Sequence, residues 1–278
     1  AESTATEGLN VFGSDGFTLG LSSQFNEDTE DFVSWNWKMG TTSGLTGGTI
    51  TPSSYSLNTT ARQSIIAYTG TGSAATIPHG LGVVPNMIIV KALTETTDWA
   101  VYHTFNTSPP EDYIQVLNTY AVAADNNLAW NDTAPTSTLF SVNAGDTNAT
   151  SKTHIAYCFA DVKGYSKFGG YTGSGNANGQ FVYTGFRPAY LLFKRVSGGT
   201  ANWYLYDCKR LGYNEENASF QSNTAAVEAL NIEMDILSNG FKWRDTDTDL
   251  NASGAPYLYA AFAEFPTVSS NDVPGVAR

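Results

Sequence analysis

Residues 64–161 of this chain are echoed by residues 166–264, in the same order and at an almost constant displacement. Tyr68-Thr69-Gly70-Thr71-Gly72 returns as Tyr171-Thr172-Gly173-Ser174-Gly175, and Gly82-Val83-Val84-Pro85 as Gly185-Phe186-Arg187-Pro188. Met87-Ile88-Ile89-Val90-Lys91 returns as Tyr190-Leu191-Leu192-Phe193-Lys194, all three pairs being displaced by 103 residues. Trp99-Ala100-Val101-Tyr102 matches Trp203-Tyr204-Leu205-Tyr206 at 104. Asn148-Ala149 matches Asn251-Ala252, and Tyr157-Cys158-Phe159-Ala160-Asp161 matches Ala260-Ala261-Phe262-Ala263-Glu264, again at 103. The back half of the unit occurs once more at the start, where Asp15-Gly16-Phe17 parallels Asn239-Gly240-Phe241 and Trp35-Asn36-Trp37 parallels Tyr157-Cys158-Phe159. Such a half unit leaves an unpaired edge and an exposed face. It must pack on the adjoining unit or belong with sequence lying upstream.

Within each unit the period is close to two, which is the spacing of strands. Turns are signalled at Gly70-Thr71-Gly72, Gly173-Ser174-Gly175, Asn178-Gly179, Gly198-Gly199 and Asn239-Gly240. One stretch, Ala225 to Glu233, has helical composition. Many short strands without strand–helix alternation predict an all-β chain of two tandem antiparallel β-sandwich domains, jelly-roll-like and related by the repeat. The expected organisation is a partial repeat over 1–40, a Thr/Ser/Gly-rich linker over 41–62, sandwiches over 63–163 and 164–266, and a tail over 267–278.

Composition narrows the function classes. With 14 Lys+Arg against 26 Asp+Glu the chain carries a net charge of −12, which repels nucleic acid and anionic membranes. It has no apolar run of membrane-spanning length. Charged residues are only 14%, yet 15 Tyr, 15 Phe and 6 Trp supply a core. Cys158 and Cys208 are too few for a disulfide framework and read as free thiols. The opening Ala1-Glu2-Ser3-Thr4, in place of Met, reads as processing or as an excerpt of a longer polypeptide.

No catalytic constellation stands out. The histidines, His79, His103 and His154, fall at unrelated places in the repeat, with Asp207 standing where His103 would recur. There is neither a GxSxG elbow nor an HExxH motif, and the acidic pairs cluster in turns, so no enzymatic activity is expected. Asp245, Asp247 and Asp249 alternate as in the start of a calcium loop, but Leu250 occupies the glycine position and Pro256 the distal glutamate position. Calcium is therefore a weak candidate ligand, set against a polar hairpin joining Phe241–Trp243 to Tyr257–Tyr259. Six Asn-x-Ser/Thr sequons, at Asn58, Asn106, Asn131, Asn148, Asn217 and Asn251, matter only on a eukaryotic secretory route. Aromatic faces stack on sugars. Trp35, Trp37, Trp99 and Trp203 sit at repeated strand positions, which leaves Trp130 and Trp243 as the candidate ligand-binding residues. Specificity on a duplicated scaffold is expected in the loops that differ between copies: 94–98, 104–112, 197–202 and 211–228.

Several blocks carry a resemblance: Phe32-Val33-Ser34-Trp35-Asn36-Trp37-Lys38, His79 to Pro85 followed by Met87 to Lys91, Lys163 to Gly173, Phe181 to Ala189, and Val273 to Arg278. Together they resemble a domain family of bacteriophage tail-fibre-like virion structural proteins, many from marine phages. The resemblance implies a β-rich component of the virion surface, in contact with other virion proteins and forming a homo-oligomer, with a trimer favoured. It carries over no catalytic residue. Two functions then compete: a tail-fibre or appendage module that attaches to a host-surface glycan or receptor through many weak sites, and a purely architectural head-fibre, decoration or collar protein. Neither involves nucleic acid or membrane insertion.

Overall fold

The structure, a computed structural model, describes residues 7–264. The predicted tail over 267–278, and the motif at Val273 to Arg278, lie outside the described residues. The chain divides into two compact units, residues 1–38 and 39–278.

In the first unit the hairpin β1 (Leu9–Phe12) and β2 (Phe17–Leu19) is followed by a single turn of helix, α1 (Ser23–Asn26). In the second unit the first half of the repeat contains β3 (Ser54–Asn58), β4 (Gln63–Thr69), β5 (Ala75–Pro78), β6 (Met87–Ala92) and β7 (Ala100–His103). It continues through β8 (Tyr113–Val116), β9 (Ala124–Asp125), the helical turn α2 (Asn127–Trp130), β10 (Leu139–Val142), α3 (Gly145–Asn148) and β11 (Thr153–Phe159). The second half contains β12 (Ser166–Thr172), β13 (Phe181–Tyr183), β14 (Pro188–Arg195), β15 (Tyr204–Asp207), β16 (Glu216–Gln221), β17 (Ala229–Leu237), β18 (Gly240–Trp243), α4 (Thr248–Asn251) and β19 (Pro256–Ala263).

The protein is all-β, built on two large antiparallel sheets. The first runs β3-β4-β11-β6-β7-β8-β9 and the second β12-β19-β14-β15-β16-β17-β18-β13. From β4 and β12 onward the two share a strand order. In the first half the β5–β10 ribbon is a separate two-stranded sheet, whereas the corresponding β13–β18 pair stays joined to the main sheet through β17. Each half buries one face against its ribbon. Ile66, Ile88, Val90 and Tyr102 of the first sheet meet Ile77 and Phe140 of the ribbon, and Leu191, Phe193 and Tyr206 meet Ile236 and Phe241.

The 103-residue displacement recurs in the hydrogen bonds. Asn148, fully buried, accepts from the Thr71 N–H at 2.9 Å and donates through Nδ2 to the Ser73 and Asn143 carbonyls at 2.6 and 3.0 Å. Asn251, also fully buried, accepts from the Ser174 N–H at 2.8 Å and donates to the Asn176 and Asp245 carbonyls at 3.0 and 2.7 Å. Tyr68 and Tyr171 donate to the Thr147 and Leu250 carbonyls respectively. The turns so held require Gly70 and Gly173, since a Cβ at either would collide with the carbonyl of Ala149 or Ala252. Two of the six sequon asparagines are thereby occupied inside the fold.

The outer faces of the two sheets pack on each other, so all four residues of β7 and all four of β15 are buried. Phe168 and Phe262 lie 5.7 Å apart, edge to face, and Phe159 lies 5.9 Å from each. His103 Nε2 sits 3.2 Å from the Tyr259 carbonyl, and Trp203 Nε1 donates to the Val116 carbonyl at 2.8 Å. Aromatic pairs of this kind contribute about 1 kcal/mol each beyond their area burial.

Two local expectations change. The stretch from Ala225 to Glu233 forms no helix: it runs into β17, because Ile232, Met234 and Ile236 recur at every second residue and are all buried. The Thr/Ser/Gly-rich stretch read as a linker supplies β3 and puts Ile50 and Leu57 in the interior.

These contacts have two measurable consequences. Replacing Asn251 with Ala strands one backbone donor and two carbonyls and is expected to cost about 2–4 kcal/mol in denaturant unfolding; an unchanged midpoint would remove the asparagine from its structural role. Burial pushes His103 down to about 4 from an ordinary value of 6.5, so the unfolded chain binds the extra proton first. Stability is therefore expected to fall as pH drops from about 6.5 to 4, with a smaller slope in His103→Gln measured by thermal melts.

Candidate functional site

Neither predicted tryptophan faces solvent. Trp130, at the end of α2, is 2% exposed and lies 5.9 Å from Tyr102 in an edge-on arrangement. Trp243, on β18, is fully buried, with Phe193 at 5.1 Å and Tyr206 at 6.0 Å. Both rings fill cores, and a buried face cannot stack on a sugar. Trp243 has an aromatic counterpart in the first half, since the buried Phe140 of β10 stands 103 residues before it.

The aspartate run is consumed by local geometry. Asp245 Oδ1 accepts from the Asp247 N–H at 2.7 Å, and Asp247 caps α4 by accepting from the Asp249 N–H at 2.7 Å. Asp249 Oδ2 accepts from the Tyr204 hydroxyl at 2.8 Å. Among the described residues no group of three or more His, Cys, Asp or Glu is arranged to hold a metal ion. The polar hairpin does not form either: β18 pairs with β17 and β13, and β19 with β12 and β14. Cys158 and Cys208 are free and buried, and burial pushes the Cys158 thiol up to about 12. Among the described residues no helix is long and apolar enough to cross a membrane.

What the structure does bring together lies at one end of the first sheet. A concavity of about 220 Å³ is lined by Ile114, Asn126, Leu128, Ala144, Gly145 and Asp146, with Leu128 half exposed at its mouth. The side chain of Asn126 accepts from the Leu128 N–H at 3.0 Å and so starts α2; the buried amide of Asn148 holds the end of α3. Asp146 Oδ1 accepts from the Asp98 N–H at 3.3 Å, which ties the 93–99 loop to the concavity. Beside it, Asn118 donates to the Asp98 carboxylate at 2.9 Å and accepts from the Trp99 N–H at 2.8 Å. Trp99 itself is partly exposed. Burial raises the Asp146 carboxyl above its ordinary value and the nearby Asp98 charge adds to this, while the Asp98 N–H and the Lys91 ammonium oppose it.

The equivalent end of the second sheet is built alike and closed. Asn223 accepts from the Trp203 N–H at 2.8 Å and donates to Asn202 at 2.8 Å. Here, however, the first half covers the loop end, through the Trp203 bond to Val116, an Ala201 N–H bond to the Tyr120 carbonyl and an Ala123 N–H bond to the Val196 carbonyl. Trp203 is fully buried as a result. Tyr204 occupies the Asp249 carboxylate, whereas the matching residue beneath Asp146 is Ala100, which offers no hydroxyl.

Asn126 and Asp146 carry no motif that marks them in the sequence. One signal was present: the displacement grows from 103 to 104 between Lys91 and Trp99, marking a loop that differs in length between the copies.

A profile of the family described as "Domain of unknown function (DUF7483)" matches residues 1–266. The chain belongs to that family. No curated protein and no solved structure matches it. For a DUF7483 chain, then, the chemistry has to be read from its own side chains.

A second polar cluster holds the variable loop 211–228. Arg210 Nε donates to Asp207 Oδ2 at 2.7 Å, a second guanidinium nitrogen pairs with Glu228, and the cation lies 4.3 Å from the Phe220 ring centre. Glu216, 1% exposed, is pushed up to about 7 by burial and by the Asp207 and Glu228 charges, against the pull of the Ala218 N–H and Arg210. Its folded value lies above its ordinary 4.5, so its contribution to stability is complete below about 4.5 and is lost as pH rises through about 7. Hydrogen exchange in 211–228 is expected to quicken from pH 5 to pH 8 beyond the intrinsic chemical rate, and Glu216→Gln to flatten that excess; an unchanged excess in the variant would absolve Glu216.

Proposed function

We propose that the chain is a surface module of a bacteriophage particle, a tail fibre or similar appendage, that contributes to host attachment by contacting surface glycan at the open loop end of its first half. The concavity at Asp146 is the observation that carries this reading. The carboxylate of Asp146 and the amide of Asn126 accept from and donate to sugar hydroxyls, while Ile114 and the half-exposed Leu128 offer apolar faces. With a net charge of −12 the chain favours neutral or amino sugars over acidic ones. A site this small binds weakly, which suits a homo-oligomer, a trimer in the favoured form, whose copies act together. The β-rich fold and the resemblance of its motifs to tail-fibre-like proteins support placement on the virion surface.

The test is a panel of bacterial surface polysaccharides and oligosaccharides presented to the purified chain. Binding to at least one neutral or amino-sugar glycan is expected, with Leu128→Ala and Asp146→Asn each weakening it about tenfold or more while the melting temperature stays put. Retention of full binding by both variants, or no binding to any glycan of the panel, would sink the proposal.

A further inference from the structure

The hairpin of the first unit repeats the β17–β18 hairpin of the second half. Val11-Phe12-Gly13-Ser14-Asp15-Gly16-Phe17 stands 224 residues before Asp235-Ile236-Leu237-Ser238-Asn239-Gly240-Phe241. The registers agree: Phe12 faces Phe17 as Ile236 faces Phe241, and Val11 faces Thr18 as Asp235 faces Lys242. Their surroundings do not. In the second half β16 pairs with the outer edge of β17, and β13 with that of β18. The apolar face is covered too, with Phe241 lying 5.1 Å from Phe193 and 5.9 Å from Tyr171. In the first unit β1 and β2 pair only with each other among the described strands. Leu9, Val11, Phe12, Phe17, Phe25 and Phe32 are all exposed, with Phe12 reaching 77%. The stretch around Trp35-Asn36-Trp37, which parallels β11, joins no strand; β11 itself lies between two front-half strands, β4 and β6.

We infer that residues 7–38 are the back half of a third β unit, and that their apolar face and both hairpin edges are the docking surface for a further front half of the same repeat. The occupant is a polypeptide segment with the strand pattern of residues 164–224. The groups that complete β17–β18, Tyr171, Val182, Phe193, Tyr206 and Ala218, all come from that span. The two front halves within residues 63–224 are each engaged with their own back halves, so a second copy of this chain has none to offer without unfolding. Antiparallel strand addition then satisfies the edges, and burial of the phenylalanines supplies the driving force.

A full chain carrying an additional copy of residues 164–224 joined directly ahead of Ala1 preserves the 224-residue spacing, and hydrogen exchange by mass spectrometry reads the result. Amides of 9–19 are expected to exchange at least 100-fold more slowly in the extended chain than in the native one, with Phe17→Asp in the extended chain abolishing the gain. Unchanged exchange in a folded extended chain would overturn the inference. So would slow exchange in the unextended chain: if concentration-dependent, a second copy covers the face; if concentration-independent, residues 39–278 do. Should the extended chain aggregate, replacing residues 235–243 by residues 11–19 within the second half decides the matter: a cooperative melt supports the equivalence, and a molten product of that transplant overturns it.

Discussion

Each half of the molecule hangs on one buried asparagine amide. Asn148 and Asn251 close the glycine turn after the first long strand onto the helical turn that precedes the last, so strands far apart in sequence are tied at a single point. A side-chain amide has both donors and an acceptor to offer, and each is taken by backbone that would otherwise be stranded. The loop end that carries Asp146 follows from this tie, because Asn148 is the last residue of the same turn of helix. Fold and candidate site therefore share one fixed point.

The second constraint is that neither large sheet is wet on both sides. One face of each is covered by its own ribbon, the other by its neighbour through Phe159, Phe168 and Phe262. A strand buried on both faces loses the apolar–polar alternation that reveals it in a sequence. That is why the Met87–Lys91 and Tyr190–Lys194 runs read as continuous apolar segments and even their lysines are buried. The ammonium groups survive there on backbone carbonyls: Lys194 donates to Ala201, and burial brings it down to about 8.

The repeat made the strand framework legible, because matching blocks mark matching strands whether or not their alternation is clean. The Gly-rich turns were legible for a related reason: close carbonyl approach demands glycine in both copies. What escaped was the difference between the copies. Standing outside the repeated strand blocks does not make Trp130 or Trp243 exposed. In fact Trp243 pairs with Phe140 by position, and Trp130 enters the first core from α2, a turn of helix with no matched counterpart in the second half. Core volume is conserved by the whole assembly of side chains, not residue by residue. The Asp245–Asp249 run misled differently, since alternating aspartates serve equally well as turn and cap residues. The strand β17 was hidden by Ala, Leu and Glu, whose helical preference yielded to the cross-strand pairing of Met234 and Ile236.

The contact of the 116–123 loop with Trp203 makes the duplication directional. The leading copy covers the trailing copy's loop end and receives no such cover in return, although both ends were built from one plan. Any longer array stacked by this same contact would leave a single uncovered end, on its foremost member, however many members it had. Valency in such an assembly is set by the number of chains side by side, not by their length.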